Sequence, residues 1–556
     1  MTVRVAPRAQ ANMLRGADIV MQTLDRAGIR TVFTLSGNHI MPLFDAAIGT
    51  GLRLIHVRHE AAAVHMADAW GRLTRNAGIA MVTGGPGHTN AVAALYTAQA
   101  AESPLVLLSG HAGLNEIGRG GFQEVRQAEM AAPVTKASWT ARSVATLGQD
   151  VAEAVRIAKS GRPGPVHLSL PVDLLEQDIG ETPTLWPESQ NFAPKARPLS
   201  DISADEALAA LASANRPLIL AGPTLCDASG HETLCRLTAA TGVPTVGMEA
   251  VRGLNDATLG AFADVLHLAD LLLLLGKPHD FSIRFAEPPH IDIACRFAVI
   301  DPDVALIDRV ATEKGPRLIM SAIADSVGAA ETLIARASWT STKHDAWRQE
   351  VEQAVNYRPP EWQDLKTKPD GPVHPFELCA AIKPTLDRHP GAILICEGGE
   401  IGQWPQGTLK PTRRIINGVA GSIGAGIPFA VASRLADPAA PIVAVIGDGS
   451  FGFHMTEFDT AVRYDLPFVV VLGNDARWNA EHQIQLREYG EERAYGCDLL
   501  PTRYDKIVEA MGGHGEFVTR ATDLEPALER ALASGKPACV NVMIESVPAP
   551  IIRRPT

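Results

Sequence analysis

The chain reads as an α/β protein built from three doubly wound parallel-sheet domains. Apolar runs of strand length, each closing on a glycine turn, recur in every third of the sequence. Two proline-rich stretches, Thr182 to Pro198 and Tyr357 to Pro375, separate those thirds as interdomain linkers do. The runs are continuous rather than alternating, which is the pattern of parallel strands covered by helices on both faces. The expected domains span residues 1–185, 199–355 and 375–556. Each is a size that folds around one core.

In the first block, Thr31-Val32-Phe33-Thr34-Leu35 reads as a strand ahead of Gly37. A short strand from Leu52 to Val57 precedes Arg58-His59-Glu60, where small residues begin a helix. Ile79 to Thr83 runs into Gly84-Gly85-Pro86-Gly87, and Leu105 to Leu108 into Ser109-Gly110. The middle block repeats the pattern with Pro217 to Ala221 before Gly222, and with five leucines, Leu271 to Leu275, before Gly276. In the third, Ile393-Leu394-Ile395 precedes Glu397-Gly398-Gly399. Val443 to Ile446 and Val469 to Leu472 flank one helix-like segment, a βαβ unit. Gly418 to Gly426 is glycine-rich but lacks GxGxxG spacing and a clear preceding strand, so it is read as something other than a nucleotide loop.

Bulk properties exclude several classes. A net charge of −12 without a basic run argues against sequence-independent nucleic-acid binding. Seven scattered cysteines without CxxC spacing speak against a zinc site or a disulfide framework and fit a reducing compartment. The start, Met1-Thr2-Val3-Arg4, has no apolar signal region, and no run reaches the ~18 apolar residues of a membrane span. A cytoplasmic protein is expected.

The chemistry concentrates at two strand ends of the third block. Gly447-Asp448-Gly449-Ser450 closes one strand and Asn474-Asp475 closes the next. Ligands of open parallel sheets sit beyond the carboxyl ends of strands, so two oxygen ligands can converge on a hard cation such as Mg²⁺. The flanking glycines let backbone approach a phosphate. An ordinary Asp-Gly turn is the alternative. In the first block, Glu60 is either an acidic residue favoured by a helix dipole or a functional carboxylate.

Together these segments resemble the thiamine diphosphate enzymes, over nearly the whole chain and in the order pyrimidine (Pyr), middle and diphosphate (PP) domain. The resemblance implies thiamine diphosphate and Mg²⁺, with metal ligands Asp448, Asp475 and the carbonyl of Arg477. Asp475 departs from the family, where Asn is commoner. Gly398, Gly399, Gly447, Gly449 and Ser450 would face the diphosphate, and Ile423 would wedge between the coenzyme's rings. Glu60 falls on the carboxylate that activates the aminopyrimidine, and Pro86 and Asn90 lie in a segment resembling the Gly-Pro-Gly loop that faces the pyrimidine ring from the partner subunit. The pyrimidine half then comes from one subunit and the diphosphate half from another, so a homodimer or homotetramer is implied.

Gly121-Phe122-Gln123-Glu124 resembles the Phe-Gln-Glu segment of the acetolactate synthase, benzaldehyde lyase and 2-hydroxyacyl-CoA lyase branch. Gln123 would donate a hydrogen bond at the reacting carbon. Asn38-His39 resembles the benzaldehyde lyase pattern, with a structural turn histidine as the other reading of His39. After Asp475, Trp478 and Ala480 stand at pocket positions, while Glu481 and His482 are candidate proton shuttles. Lys277 and Arg284 lie in a stretch like the ADP-binding region of CoA-using members, and Arg553 and Arg554 end the chain where such members close over substrate. Surface charge and a disordered terminus are the plain alternatives. ADP or CoA is preferred to FAD for the middle domain. The preferred activity is 2-hydroxyacyl-CoA lyase, giving formyl-CoA and an aldehyde or ketone reversibly. A benzaldehyde-lyase-like carboligase, an acetolactate-synthase-like or oxalyl-CoA-decarboxylase-like enzyme, and a non-catalytic paralogue are the alternatives.

Overall fold

A computed structural model describes residues 14–180, 185–337 and 342–555. The start of the chain and Thr182 and Pro183 of the first proline-rich stretch lie outside the described residues. Contacts divide the chain into two compact units, residues 1–195 and 196–556.

The first unit holds a six-stranded sheet: β1 (Thr31–Thr34), β2 (Arg53–His56), β3 (Gly78–Val82), β4 (Leu105–His111), β5 (Ala137–Thr140) and β6 (Pro165–Pro171), in the order β2-β1-β3-β4-β6-β5. Every ladder is parallel. The strand expected to stop before Ser109-Gly110 continues through them to His111. A side chain at 110 would sit 2.6 Å from the His39 Cβ, so glycine stands here for close approach, not for a turn.

The second unit holds two sheets. One has β7 (Pro217–Ala221), β8 (Thr245–Gly247), β9 (Leu271–Leu275), β10 (Arg296–Asp301) and β11 (Leu318–Ile323), ordered β11-β10-β9-β7-β8. All five leucines of β9 are buried, as a strand covered on both faces requires. The other has β12 (Ile393–Cys396), β13 (Arg413–Ile416), β14 (Ile442–Gly447), β15 (Val469–Asn474), β16 (His514–Val518) and β17 (Ala538–Met543), ordered β13-β12-β14-β15-β17-β16. Their ladders are parallel too. The architecture is thus three parallel α/β sheets, the first and third wound in the same order.

Three local expectations change. The segment between β14 and β15 is two short helices, Asp448–His454 and Glu457–Arg463, rather than one. A strand, β13, does lead into the glycine-rich segment, ending one residue short of Gly418. The second proline-rich stretch is packed rather than free. Arg358 donates to the carbonyls of Gly407, at 2.5 Å, and Thr258, at 3.1 Å, and Trp362 lies against Trp404. These contacts explain why two sheets share one compact unit. Among the described residues no helix is long and apolar enough to cross a membrane.

In each six-stranded sheet the chain adds a strand on one side of its first strand and then crosses to the other. That reversal opens a crevice beyond the strand ends, between β1 and β3 and between β12 and β14. The candidate residues cluster around those two crevices.

Candidate active site

In the third sheet, Glu397 follows β12, Asp448 follows β14 and Asp475 follows β15. The ladder pairs Gly447 with Gly473, which sets the last two strand ends level. Buried Asn474 accepts the Ala476 N–H at 3.2 Å and donates to Asn541 and the Thr502 carbonyl. It shapes the turn, and Asp475 is the residue that faces the cavity.

Asp475 lines that cavity with Asp448, Gly399, Gly447, Gly449, Ser450, Ile423, Trp478, Ala480, Glu481 and Arg477. His482 lies just beyond, its N–H on the Trp478 carbonyl. A side chain at Gly449 would strike the Trp478 ring at 2.6 Å, and one at Gly399 would meet Ala480 at 2.7 Å. Bare backbone therefore forms the floor. Gly398 sits behind it, its missing side chain 3.0 Å from the Gly447 nitrogen.

Charge at the site is unbalanced. Asp448 is 2% exposed and its Oδ2 has no hydrogen-bond partner. Burial, reinforced by the Asp475 charge, pushes its carboxyl up to about 7. Burial likewise pushes Asp475 up to about 6, against the Ser546 hydroxyl, which lowers it. The Arg477 guanidinium is drawn to Asp498 at 3.0 Å. Two further wall carboxylates are already paired, Glu400 with Arg252 at 2.7 Å and Glu545 with Lys368 at 2.5 Å. An orphaned buried oxygen, a like-charged neighbour and a glycine floor fit a divalent cation with an anionic ligand. Among the described residues no three His, Cys, Asp or Glu side chains form a metal cluster.

Sequence reasoning missed several residues of this region. Ser546 touches Asp475 and is held by Asn479 at 3.0 Å. Asn479 also donates to the Val547 carbonyl. Glu400 accepts the Ala549 N–H, so the chain's last segment forms a wall. Glu397 is fully buried, and burial raises its carboxyl to about 7 against the Gly424 N–H and Ser450 hydroxyl that lower it. Glu397 carries the strand-end signal that marks Asp448 and Asp475, whereas nothing in local sequence marks Ser546, Asn479 or Glu400, whose partners lie far along the chain.

In the first unit, Glu60 opens the helix Glu60–Thr74, capped by His59, which accepts the Ala61 N–H. Glu60 is 9% exposed. Its Oε2 accepts from the Asn90 amide at 3.0 Å. A side chain on Gly87 would come 3.4 Å from its Oε1 and 2.8 Å from Thr83 Cγ2, so glycine keeps this flank open. Pro86 begins the helix Pro86–Ala100.

The Gly-Pro-Gly loop meets the Phe122-Gln123 loop directly. Gly85, at φ 58°, would place a side chain 2.6 Å from the Gln123 carbonyl. Gln123 itself has φ 56°, a left-handed conformation costly for a non-glycine residue. Glu124 holds it there, accepting the N–H groups of Gly118, Gly120 and Gly121 at 2.6, 3.1 and 3.0 Å. Those donors keep its carboxyl below the usual range. Phe122 is 64% exposed. His39 is buried, its Nδ1 3.1 Å from the Thr83 hydroxyl and its Nε2 3.2 Å from the Phe122 carbonyl. A carbonyl only accepts, so Nε2 carries the hydrogen and Nδ1 accepts from Thr83. Both ring nitrogens are engaged. Asn38 beside it is exposed.

None of the remaining candidates lines the Asp448 cavity. Lys277 is 3% exposed, not surface charge, and its amine is held by Asp280 at 3.0 Å and the Pro278 carbonyl. Arg284 is exposed at φ 52°. The tail is docked as far as it is described, to Pro555. Arg553 donates to Asn255 at 2.7 Å, the Arg554 N–H to Asp264 at 2.8 Å, and Ile552 is buried. The disordered terminus expected from a chain end is replaced by a docked one.

A family model described as "Thiamine pyrophosphate enzyme, N-terminal TPP binding domain" matches residues 14–130, and its C-terminal counterpart matches residues 399–542. The chain is 33% identical over 553 residues to the "Probable acetolactate synthase" of Mycobacterium bovis, covering 97% of each protein. The chain belongs to the thiamine pyrophosphate enzyme family. It is 28% identical to "2-hydroxyacyl-CoA lyase 2" of Homo sapiens, over 96% of this chain and 91% of that protein. It is equally similar to the "2-hydroxyacyl-CoA lyase" of Arabidopsis thaliana, over 95% of each. The protein is therefore a thiamine diphosphate enzyme of the lyase and carboligase kind. Glu60 and the Gly-Pro-Gly loop fall within the first matched segment, Asp448 and Asp475 within the second.

Proposed function

We propose that this enzyme is a Mg²⁺-dependent carbon–carbon lyase that cleaves a 2-hydroxyacyl-CoA to formyl-CoA and an aldehyde or ketone, reversibly. The observation that carries the metal dependence is the orphaned Oδ2 of buried Asp448 beside Asp475. In this reading Asp448, Asp475 and the Arg477 carbonyl hold the cation, and the backbone of Gly398, Gly399, Gly447 and Gly449 with Ser450 receives the diphosphate. Bound thiamine diphosphate supplies the electron sink for breaking the bond.

The protein's own groups then bind and move protons. Asn90 fixes one oxygen of Glu60, leaving the other to share a proton with the aminopyrimidine. Ile423, which lines the cavity, would stand against the ring portion of the coenzyme. Gln123, strained into place by Glu124, donates to the substrate oxygen, and Glu481 exchanges a proton with it. Trp478 and Ala480 shape the pocket. His39 orients Phe122 rather than meeting substrate. The same chain repeated in a homodimer or homotetramer completes the sites.

Relatives named 2-hydroxyacyl-CoA lyase support the substrate reading. The second reading is an acetolactate-synthase-like enzyme of 2-oxoacids, favoured by the 33% identical relative. Neither the engaged Lys277 nor Arg553 adds weight to CoA. The deciding experiment incubates the holoenzyme with 2-hydroxyacyl-CoA, pyruvate or benzoin and identifies products. Formyl-CoA from the first supports the proposal, whereas acetolactate from pyruvate alone replaces it with the second reading. Glu60→Gln should remove turnover on whichever substrate reacts, and a near-normal rate would refute the role of Glu60.

A further inference from the structure

Gly424 follows Ile423 and is gripped on both sides. Glu397 Oε1 accepts its N–H at 2.8 Å, and His454 Nδ1 lies 2.7 Å from its carbonyl oxygen. A carbonyl cannot donate, so Nδ1 carries the hydrogen of that bond. Both side chains are buried, Glu397 at 1% and His454 at 5% exposure. Burying two ionisable groups is unfavourable unless their bonds are made, so the arrangement calls for a role. Neither group takes part in the chemistry proposed above.

Their positions in the fold indicate that role. Glu397 follows β12 and lies beside Ser450, and His454 ends the helix that Asp448 begins. Both arms of the grip therefore return to the strand and helix that bound the crevice. Gly424 has φ 96°, and a side chain there would lie 2.6 Å from Phe453 Cβ, so this backbone could not be held by an ordinary residue. The N–H that Glu397 holds belongs to the amide joining Ile423 to Gly424. Fixing that amide fixes where the Ile423 side chain stands in the cavity.

We infer that Glu397 and His454 are positioning residues, a clamp on Gly424 that sets Ile423 against the ring portion of the coenzyme and registers it to the diphosphate helix. The inference rests on the wedge role proposed for Ile423. It predicts that the clamp matters to a ligand with rings and not to a bare diphosphate.

The test measures binding of thiamine diphosphate and of inorganic diphosphate, each with Mg²⁺, by calorimetry on the full chain. Glu397→Ala should weaken thiamine diphosphate at least tenfold and leave inorganic diphosphate within about twofold, a split of at least ~1 kcal/mol. Glu397→Gln, whose Oε1 still accepts the Gly424 N–H, should recover most of the loss. Equal loss of both probes, or loss of neither, overturns the clamp. Ile423→Ala should give the same split. If it leaves thiamine diphosphate binding unchanged, the wedge reading fails. If it splits the probes while Glu397→Ala does not, the clamp alone fails. Should Glu397→Ala not fold, hydrogen exchange in the unaltered protein decides: a slow Gly424 amide supports the clamp, and one as fast as an exposed loop overturns it.

Discussion

Replacing Asp475 with Asn should stabilise the metal-free protein and weaken its hold on Mg²⁺. Burial raises the Asp475 carboxyl from 3.8 to about 6. A group whose folded pKa is raised contributes full stability below its unfolded pKa and loses it as pH rises through the folded value. The loss is therefore complete above about pH 7. At ~1.4 kcal/mol per tenfold, Asp475 costs ~3 kcal/mol there, shrinking to ~1 kcal/mol near pH 4.5. Asn keeps an oxygen and nearly the same volume, and it also removes the charge that helps raise Asp448 to about 7. Thermal unfolding in a chelator should show Asp475→Asn above the parent by several degrees at pH 8 and by little at pH 4.5. With excess Mg²⁺ the order should narrow or reverse, because a ligand of the native state stabilises the form that binds it more tightly. Calorimetric Mg²⁺ affinity should fall about tenfold, ~1.4 kcal/mol. No gain in chelator at pH 8, or a gain as large at pH 4.5, would show that the two carboxylates do not share a desolvated pocket.

Asn90→Ala removes the 3.0 Å donor to Glu60 and should lower kcat about tenfold with unfolding unchanged; a parental kcat would count against the pair. Glu124→Ala frees the three N–H groups that fold the Gln123 loop, so exchange at Gly118, Gly120 and Gly121 should accelerate and kcat should fall while coenzyme affinity holds. Unchanged exchange would refute its positioning role. Burial lowers the His88 pKa from 6.5 to about 4. Its stability is full above about pH 6.5 and is lost as pH falls through about 4, some ~3 kcal/mol in all. His88→Gln should flatten the acid limb of an unfolding curve, and an unaltered limb would exclude His88 as its source.

Much of the fold was readable from local pattern. The run Leu271 to Leu275 could only be a strand covered on both faces, and all five residues are buried. Asp448 and Asp475 announced themselves because each directly follows a run of buried strand residues, and parallel pairing brings such ends level. Where the pattern misled, a distant contact had overridden it. Gly110 lies inside β4 where His39 packs against it, and the proline-rich stretch after Tyr357 is packed through Arg358 on Gly407 and Trp362 on Trp404.

Partnerships were not readable in this way. Asn90 on Glu60, Ser546 on Asp475, Glu397 and His454 on Gly424, and Asp264 on the tail join residues that sequence keeps apart. Strand composition follows from what covers a strand, which is a property of the strand and its own periodicity. Which side chains meet follows from strand order and from where the chain reverses across each sheet. The type and place of the two carboxylates could thus be taken from the chain as written. Their missing counter-charge, and the clamp behind Ile423, exist only once the strand ends are brought together.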